Sequence, residues 1–129
     1  MKSLRRVLVS IGLCAPLVTH GMDLIANTSM LLSIDEVRDI YLGEKLLAGN
    51  VKLIPVDNSS VQDEFLAKVL QTDRDKYYAR WARKVYREGL STPPTKGSDA
   101  EVAAFVKATP GAIGYVTKAP AGVRVLHSY

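Results

Sequence analysis

This chain carries few of the side chains that catalysis or metal binding most often uses. Among its 129 residues there is one cysteine, Cys14, and two histidines, His20 and His127. A disulfide framework therefore has no material, and no His/Asp/Glu/Cys group has metal-ligand spacing. No serine sits in a G-x-S-x-G elbow, and His127, close to the C-terminus, reads as a surface residue rather than a general base. Carboxylates are scattered singly or placed as helix caps. No enzymatic activity, cofactor or metal is expected. Repeats, low-complexity tracts and linkers are also missing, so the chain reads as one small domain.

A long apolar run is missing too. The longest stretch, Val7 to Val18, falls short of the roughly 20 residues that span a bilayer. It follows Lys2, Arg5 and Arg6 and precedes the small residues Thr19 and Gly21, the pattern of a secretory signal cut before Met22. Residues 1–21 are therefore expected to be a signal peptide and 22–129 the mature domain, periplasmic in location. Lipidation at Cys14 is disfavoured because Leu13 stands where a small residue is needed. The formal net charge of +4 looks basic, yet removal of three early cations leaves 14 basic side chains against 13 acidic ones. A net of +1 gives no footprint for nucleic acid, and the mature chain has no cysteine at all.

Hydrophobic periodicity supplies the elements. Leu24-Ile25-Ala26 reads as a strand that stops at the turn Asn27-Thr28-Ser29. Ser33 and Glu36 have capping-box spacing ahead of a helix with Val37, Ile40 and Tyr41 on one face, closed by Gly43. "NVKLIPVD" reads as a second strand, with Pro55 at an edge or where pairing stops. A helix with the stripe Val61, Phe65, Leu66, Val69 and Leu70 follows, then a longer one over Asp73 to Glu88 with Thr72 and Asp75 as its expected cap. Ser98 and Glu101 start another helix, carrying Val102, Phe105 and Val106, and "AIGYVT" and "VRVLH" finish the chain as strands. Strands separated by helical crossovers predict an α/β domain, a mixed sheet covered by helices.

Two stretches stand out as candidate sites. Lys76, Arg80, Arg83 and Arg87 recur at helical spacing on one face, either a docking face for an acidic partner or membrane headgroup, or the solvated side of a helix whose core stripe is Tyr77, Tyr78, Trp81, Val85 and Tyr86. The turn Asn58-Ser59-Ser60 between a strand and a helix is either an anion cradle at a helix N-terminus or the cap of that helix. Asp57, Asp63 and Glu64 surround the serines, and no Lys or Arg lies between Lys52 and Lys68. Acidic neighbours satisfy the dipole and repel an anion, so the expectation is a helix cap with residual oxyanion capacity.

The segments "SIDEVRDIYLGE", "KLIPVD", "ARWARKVYREG…PP" and "VKATPGAIGYV" resemble the small phosphate ABC transporter substrate-binding-protein-like family, over roughly residues 23 to 117. The resemblance implies a single lobe of a type II periplasmic binding protein, with phosphate or another oxyanion as ligand. Ser59 and Ser60, beside Asn58, match the phosphate-gripping loop of the full-length receptors. Thr28 and Ser29 match by position only. The arginine of that loop is absent, Val56-Asp57 standing about where it would be, and so is its glycine. The competing reading is a degenerate lobe that acts as a periplasmic interaction module, with Lys76 to Arg87 docking on a periplasmic or membrane protein.

Overall fold

The computed structural model describes residues 21–129. The expected signal segment thus lies outside the described residues apart from Gly21. Eight strands and four helices run in the order β1 (Asp23–Ala26), α1 (Ile34–Tyr41), β2 (Leu47–Ala48), β3 (Val51–Lys52), β4 (Ile54–Pro55), β5 (Asp57–Asn58), α2 (Gln62–Phe65), α3 (Arg74–Glu88), β6 (Thr95–Lys96), α4 (Asp99–Ala108), β7 (Ala112–Val116) and β8 (Arg124–Ser128). The main sheet has the order β4-β7-β1-β8. β4 runs parallel to β7, while β1 is antiparallel to both β7 and β8. The domain is mixed α/β, as the alternating pattern predicts. No helix among the described residues is long and apolar enough to cross a membrane.

β1 and β7 occupy the centre because every one of their residues is buried. Alternate side chains serve opposite faces. Leu24, Ala26, Ile113 and Tyr115 join Tyr41, Phe65 and Trp81 in the larger core under α1, α2 and α3. Ile25, Ala112 and Val116 meet Val102 and Val106 of α4 on the other face. Gly114 permits that second contact, since a Cβ there would lie 2.6 Å from a Val102 methyl carbon. Phe65 stacks on Tyr115 with ring centroids 3.9 Å apart and planes 2° from parallel.

Helix starts follow side-chain chemistry closely. Ser33 and Glu36 make the reciprocal capping box the sequence predicts. Ser98 caps α4 by accepting from the Glu101 N–H, but the Glu101 carboxylate accepts from Gly97 instead of completing a box. The predicted Thr72 cap of α3 is displaced by one residue: Asp73 is extended at φ −130° and accepts from the Lys76 N–H at 2.9 Å. A carboxylate there also meets the positive end of the helix dipole, which favours it over a hydroxyl.

Two expectations change more substantially. The single strand over "NVKLIPVD" is broken into three pairings, because β3 folds back on β2, β4 pairs with β7, and β5 pairs with β6. Pro55, which cannot donate, sits on the edge strand β4 where no donor is required of it. The helix after it is α-helical only to Phe65 and continues as a π-helical turn over Leu66–Leu70. Its stripe holds, with Phe65, Leu66 and Val69 buried and Val61 and Leu70 partly so.

Candidate functional site

Asn58 organises the strand-end turn. Its buried amide oxygen accepts from both the N–H and the hydroxyl of Ser60, at 3.0 and 2.6 Å. Its Nδ2 donates to Asp99 Oδ1 at 2.8 Å and to the Tyr115 carbonyl at 3.0 Å. Ser59 N–H goes to the Lys96 carbonyl and Val61 N–H to the Asn58 carbonyl. All three amides of the turn, and the hydroxyl proton of Ser60, are thus used within the protein. The expected capping role of Ser59 or Ser60 is not realised: Val61 occupies the cap position and no side chain bonds the first turn of α2. Asn58, two residues nearer the strand, has captured the Ser60 hydroxyl instead, as Asx turns do. Ser59 and Ser60 remain exposed.

Asp57 is the residue whose role sequence reasoning missed. It is not a surface carboxylate flanking the serines but fully buried, with Oδ1 accepting from Tyr115 OH at 2.7 Å and Oδ2 from Tyr77 OH at 2.8 Å. Burial pushes its pKa from 3.8 up to about 6, opposed by the hydrogen bonds of Tyr115, Tyr77 and Gln62. Burial, reinforced by the Asp57 charge, also drives both tyrosines well above the usual phenol range. Position 57 closes an apolar strand, and a carboxylate there with tyrosines elsewhere in the core was the available signal. The three residues tie β5 to α3 and β7, which fixes where the Asn58 turn begins.

The surroundings of the turn are electrically balanced. Arg74 Nε lies 2.6 Å from Asp63 Oδ1, and Lys68 pairs with Glu64 at 2.9 Å. Lys96 Nζ sits 5.2 Å from the Phe105 ring centre. Asp99 also accepts from the Thr117 N–H. The donors left for an incoming anion are the Ser59 hydroxyl and the open amides at the start of α2.

Thr28 and Ser29 form a twin of this turn, with Asn27 Oδ1 accepting from the Ser29 N–H and hydroxyl at 3.1 and 2.7 Å. The two turns are not brought together. Asn27 bonds Ala112 at the start of β7, whereas Asn58 bonds Tyr115 toward its end, a separation of about 10 Å along the strand.

On α3 only Tyr77 and Trp81 are buried, so the predicted five-residue core stripe shrinks to two. Tyr78 and Val85 are 38% and 42% exposed and Tyr86 is 89% exposed. The reason is that α3 packs through one narrow face, where Trp81 Nε1 donates to the Tyr41 carbonyl and Arg80 Nε to the Leu42 carbonyl. Arg80, Arg83 and Arg87 line a shallow recess of about 190 Å³ with Lys84 and Glu88, and Lys76 is exposed on the same side. Glu44 pairs with both Arg80 and Lys84, at 2.6 and 2.9 Å. A separate apolar groove of about 540 Å³ lies beside β4, lined by Leu47, Leu53, Pro55, Trp81, Leu90 and Pro93 among others. His127 lies exposed on β8 against Tyr129, and among the described residues no group of three potential ligands could hold a metal.

No protein-family model and no curated protein matches the sequence. Solved structures do match the fold. One is a Clostridium perfringens protein assigned as a phosphate ABC transporter substrate-binding protein, solved with bound phosphate: TM-score 0.62, 17% identity, 83% of this chain and 44% of that one. Another is an ABC-type phosphate transport receptor from Vibrio cholerae: TM-score 0.52, 12% identity, 83% of this chain and 45% of that one. The chain therefore has a periplasmic-binding-protein-like α/β fold and, spanning less than half the length of these receptors, corresponds to a single lobe of it.

Proposed function

We propose that this chain is a secreted, non-enzymatic, solute-binding-like protein that holds an oxyanion such as phosphate weakly at the Asn58–Ser60 turn. The observation that carries the reading is the position of that turn: exposed serines at the end of β5, immediately before the open amides of α2, in a fold shared with phosphate receptors. The weakness follows from the hydrogen bonds. An anion finds the Ser59 hydroxyl and a short helix start, but the guanidinium beside that start, Arg74, is paired with Asp63, and the amides of Ser59, Ser60 and Val61 are already satisfied. A single lobe also leaves one side of the anion in water, where charge-assisted hydrogen bonds lose much of their strength.

Calorimetry with phosphate and with sulfate is expected to give millimolar dissociation constants, raised further by Ser59→Ala. A micromolar phosphate isotherm abolished by Ser60→Ala would contradict this, since it would require a hydroxyl now committed to Asn58.

A further inference from the structure

We propose that the apolar groove beside β4 takes an alkyl chain carrying one anionic head, a ligand of the fatty-acid class, with the head at Lys45 and Lys52 and the chain along Leu47, Leu53, Trp81 and Pro93. The groove has a volume of about 540 Å³, within the roughly 300–1,000 Å³ of small-molecule sites. Apart from Trp81, whose Nε1 is spent on the Tyr41 carbonyl, its polar side chains are Lys45, Lys52, Ser91 and Thr92. Both charged members are cations, and no carboxylate lines the groove. Lys52 is exposed with no ion-pair partner among the described residues, and Lys45 meets Glu36 only at 3.8 Å. On the wall, Leu46 and Leu47 are 46% and 54% exposed, apolar area that a bound chain takes out of water.

Two features choose this occupant over a protein chain. The first is the hydrogen bonding of the walls. Along β4 the N–H of Leu53 goes to the Leu46 carbonyl, that of Ile54 to Gly111 and that of Val56 to Ile113. Pro55 has no N–H, and neither do Pro93 and Pro94, which also line the groove. A peptide laid along β4 finds no donor for its carbonyls, and strand addition to a sheet edge depends on such main-chain bonds. An alkyl chain asks for none. The second feature is charge. A copy of this chain docked groove to groove brings Lys45 and Lys52 against their own symmetry mates, whereas an anionic head is drawn to both. The groove shares no lining residue with the Asn58–Ser60 turn or with the recess on α3.

Trp81 is the only tryptophan of the chain and lines the groove, so its fluorescence reports occupancy. Titration of the purified protein with hexanoate, octanoate and decanoate, below micelle-forming concentrations, is expected to show saturable binding that tightens about threefold for each added methylene. Lys45→Glu/Lys52→Glu is expected to weaken decanoate about tenfold and to leave the neutral decanol, the weaker ligand of wild type, unchanged. Leu47→Asn is expected to weaken both. These positions lie outside the core, and neither Ser59→Ala nor millimolar inorganic phosphate is expected to alter the titration, which keeps the outcome independent of the oxyanion turn. Decanoate that is silent in both Trp81 fluorescence and calorimetry overturns the proposal and leaves the groove to an acidic protein or to solvent. Equal binding of decanoate and decanol, or decanoate binding that survives the double substitution or Leu47→Asn, overturns it as well.

Discussion

Gly111→Ala is expected to destabilise the protein by about 3 kcal/mol or more, a large share of the roughly 5–15 kcal/mol that holds a domain of this size together. Gly111 has φ +88°, and a Cβ there would collide with the Lys52 carbonyl oxygen, with a Val51 methyl 3.1 Å away. The left-handed conformation alone costs an L-residue about 1–2 kcal/mol. The collision is with backbone and cannot be relieved by a rotamer change. It must push β3 and β4 away from β7, at the point where Ile54 N–H donates to the Gly111 carbonyl at 2.8 Å. The same movement would displace the strand that delivers Asp57 and the Asn58 turn. Urea titration followed by circular dichroism measures the loss. Gly97→Ala is the control, because its Cβ would meet nothing closer than 3.6 Å, and it is expected to change stability by less than about 1 kcal/mol.

Asp57 is expected to make the protein less stable as pH rises from about 4 to about 6. Its folded pKa of about 6 lies above the ordinary 3.8, so between those values the folded state binds the proton that the unfolded state has released. Ionisation in the folded state above pH 6 then carries a penalty of ~3 kcal/mol that is absent below the unfolded pKa. Glu36 and Glu44 act oppositely, the first held below the usual carboxylate range chiefly by its bond from the Ser33 backbone and the second chiefly by its hydrogen bond from Lys84. The comparison with Asp57→Asn removes their contribution, since both proteins share it. The stability of Asp57→Asn relative to wild type is expected to improve by ~2 kcal/mol between pH 4 and pH 7. Parallel stability curves for the two proteins would contradict the burial-driven shift.

Local chemistry was legible in the sequence where a short pattern decides it. The Ser33–Glu36 box, the buried faces of α1 and α4, and the apolar β1 and β7 follow directly from spacing. The resemblance carried by "IYLGE" and "TPGAIGYV" pointed to the fold that the receptor structures share. What was not legible depends on partners distant in sequence. Whether Ser60 caps a helix or bonds Asn58 turns on Asn58 being anchored by Asp99 and Tyr115, 41 and 57 residues away. Asp57 looked like a dipole partner for α2 because Tyr77 and Tyr115, 20 and 58 residues away, cannot be placed from spacing alone. Tyr86 looked like core because a second apolar arc on α3 shares the periodicity of the first, and only the packing of α3 against Tyr41 and Leu42 selects between them.

The turn that raised the question of an anion cradle has become, in the folded protein, a hydrogen-bonded Asx turn with most of its donors spent. A phosphate titration followed by the backbone amide signals of the protein tests that most directly. Fast-exchange shifts are expected, confined to Ser59 and the start of α2, Gln62 to Glu64, and saturating only at millimolar phosphate. Slow-exchange shifts saturating at micromolar phosphate, or shifts centred on Asn27–Ser29 at the other end of β7, would contradict it.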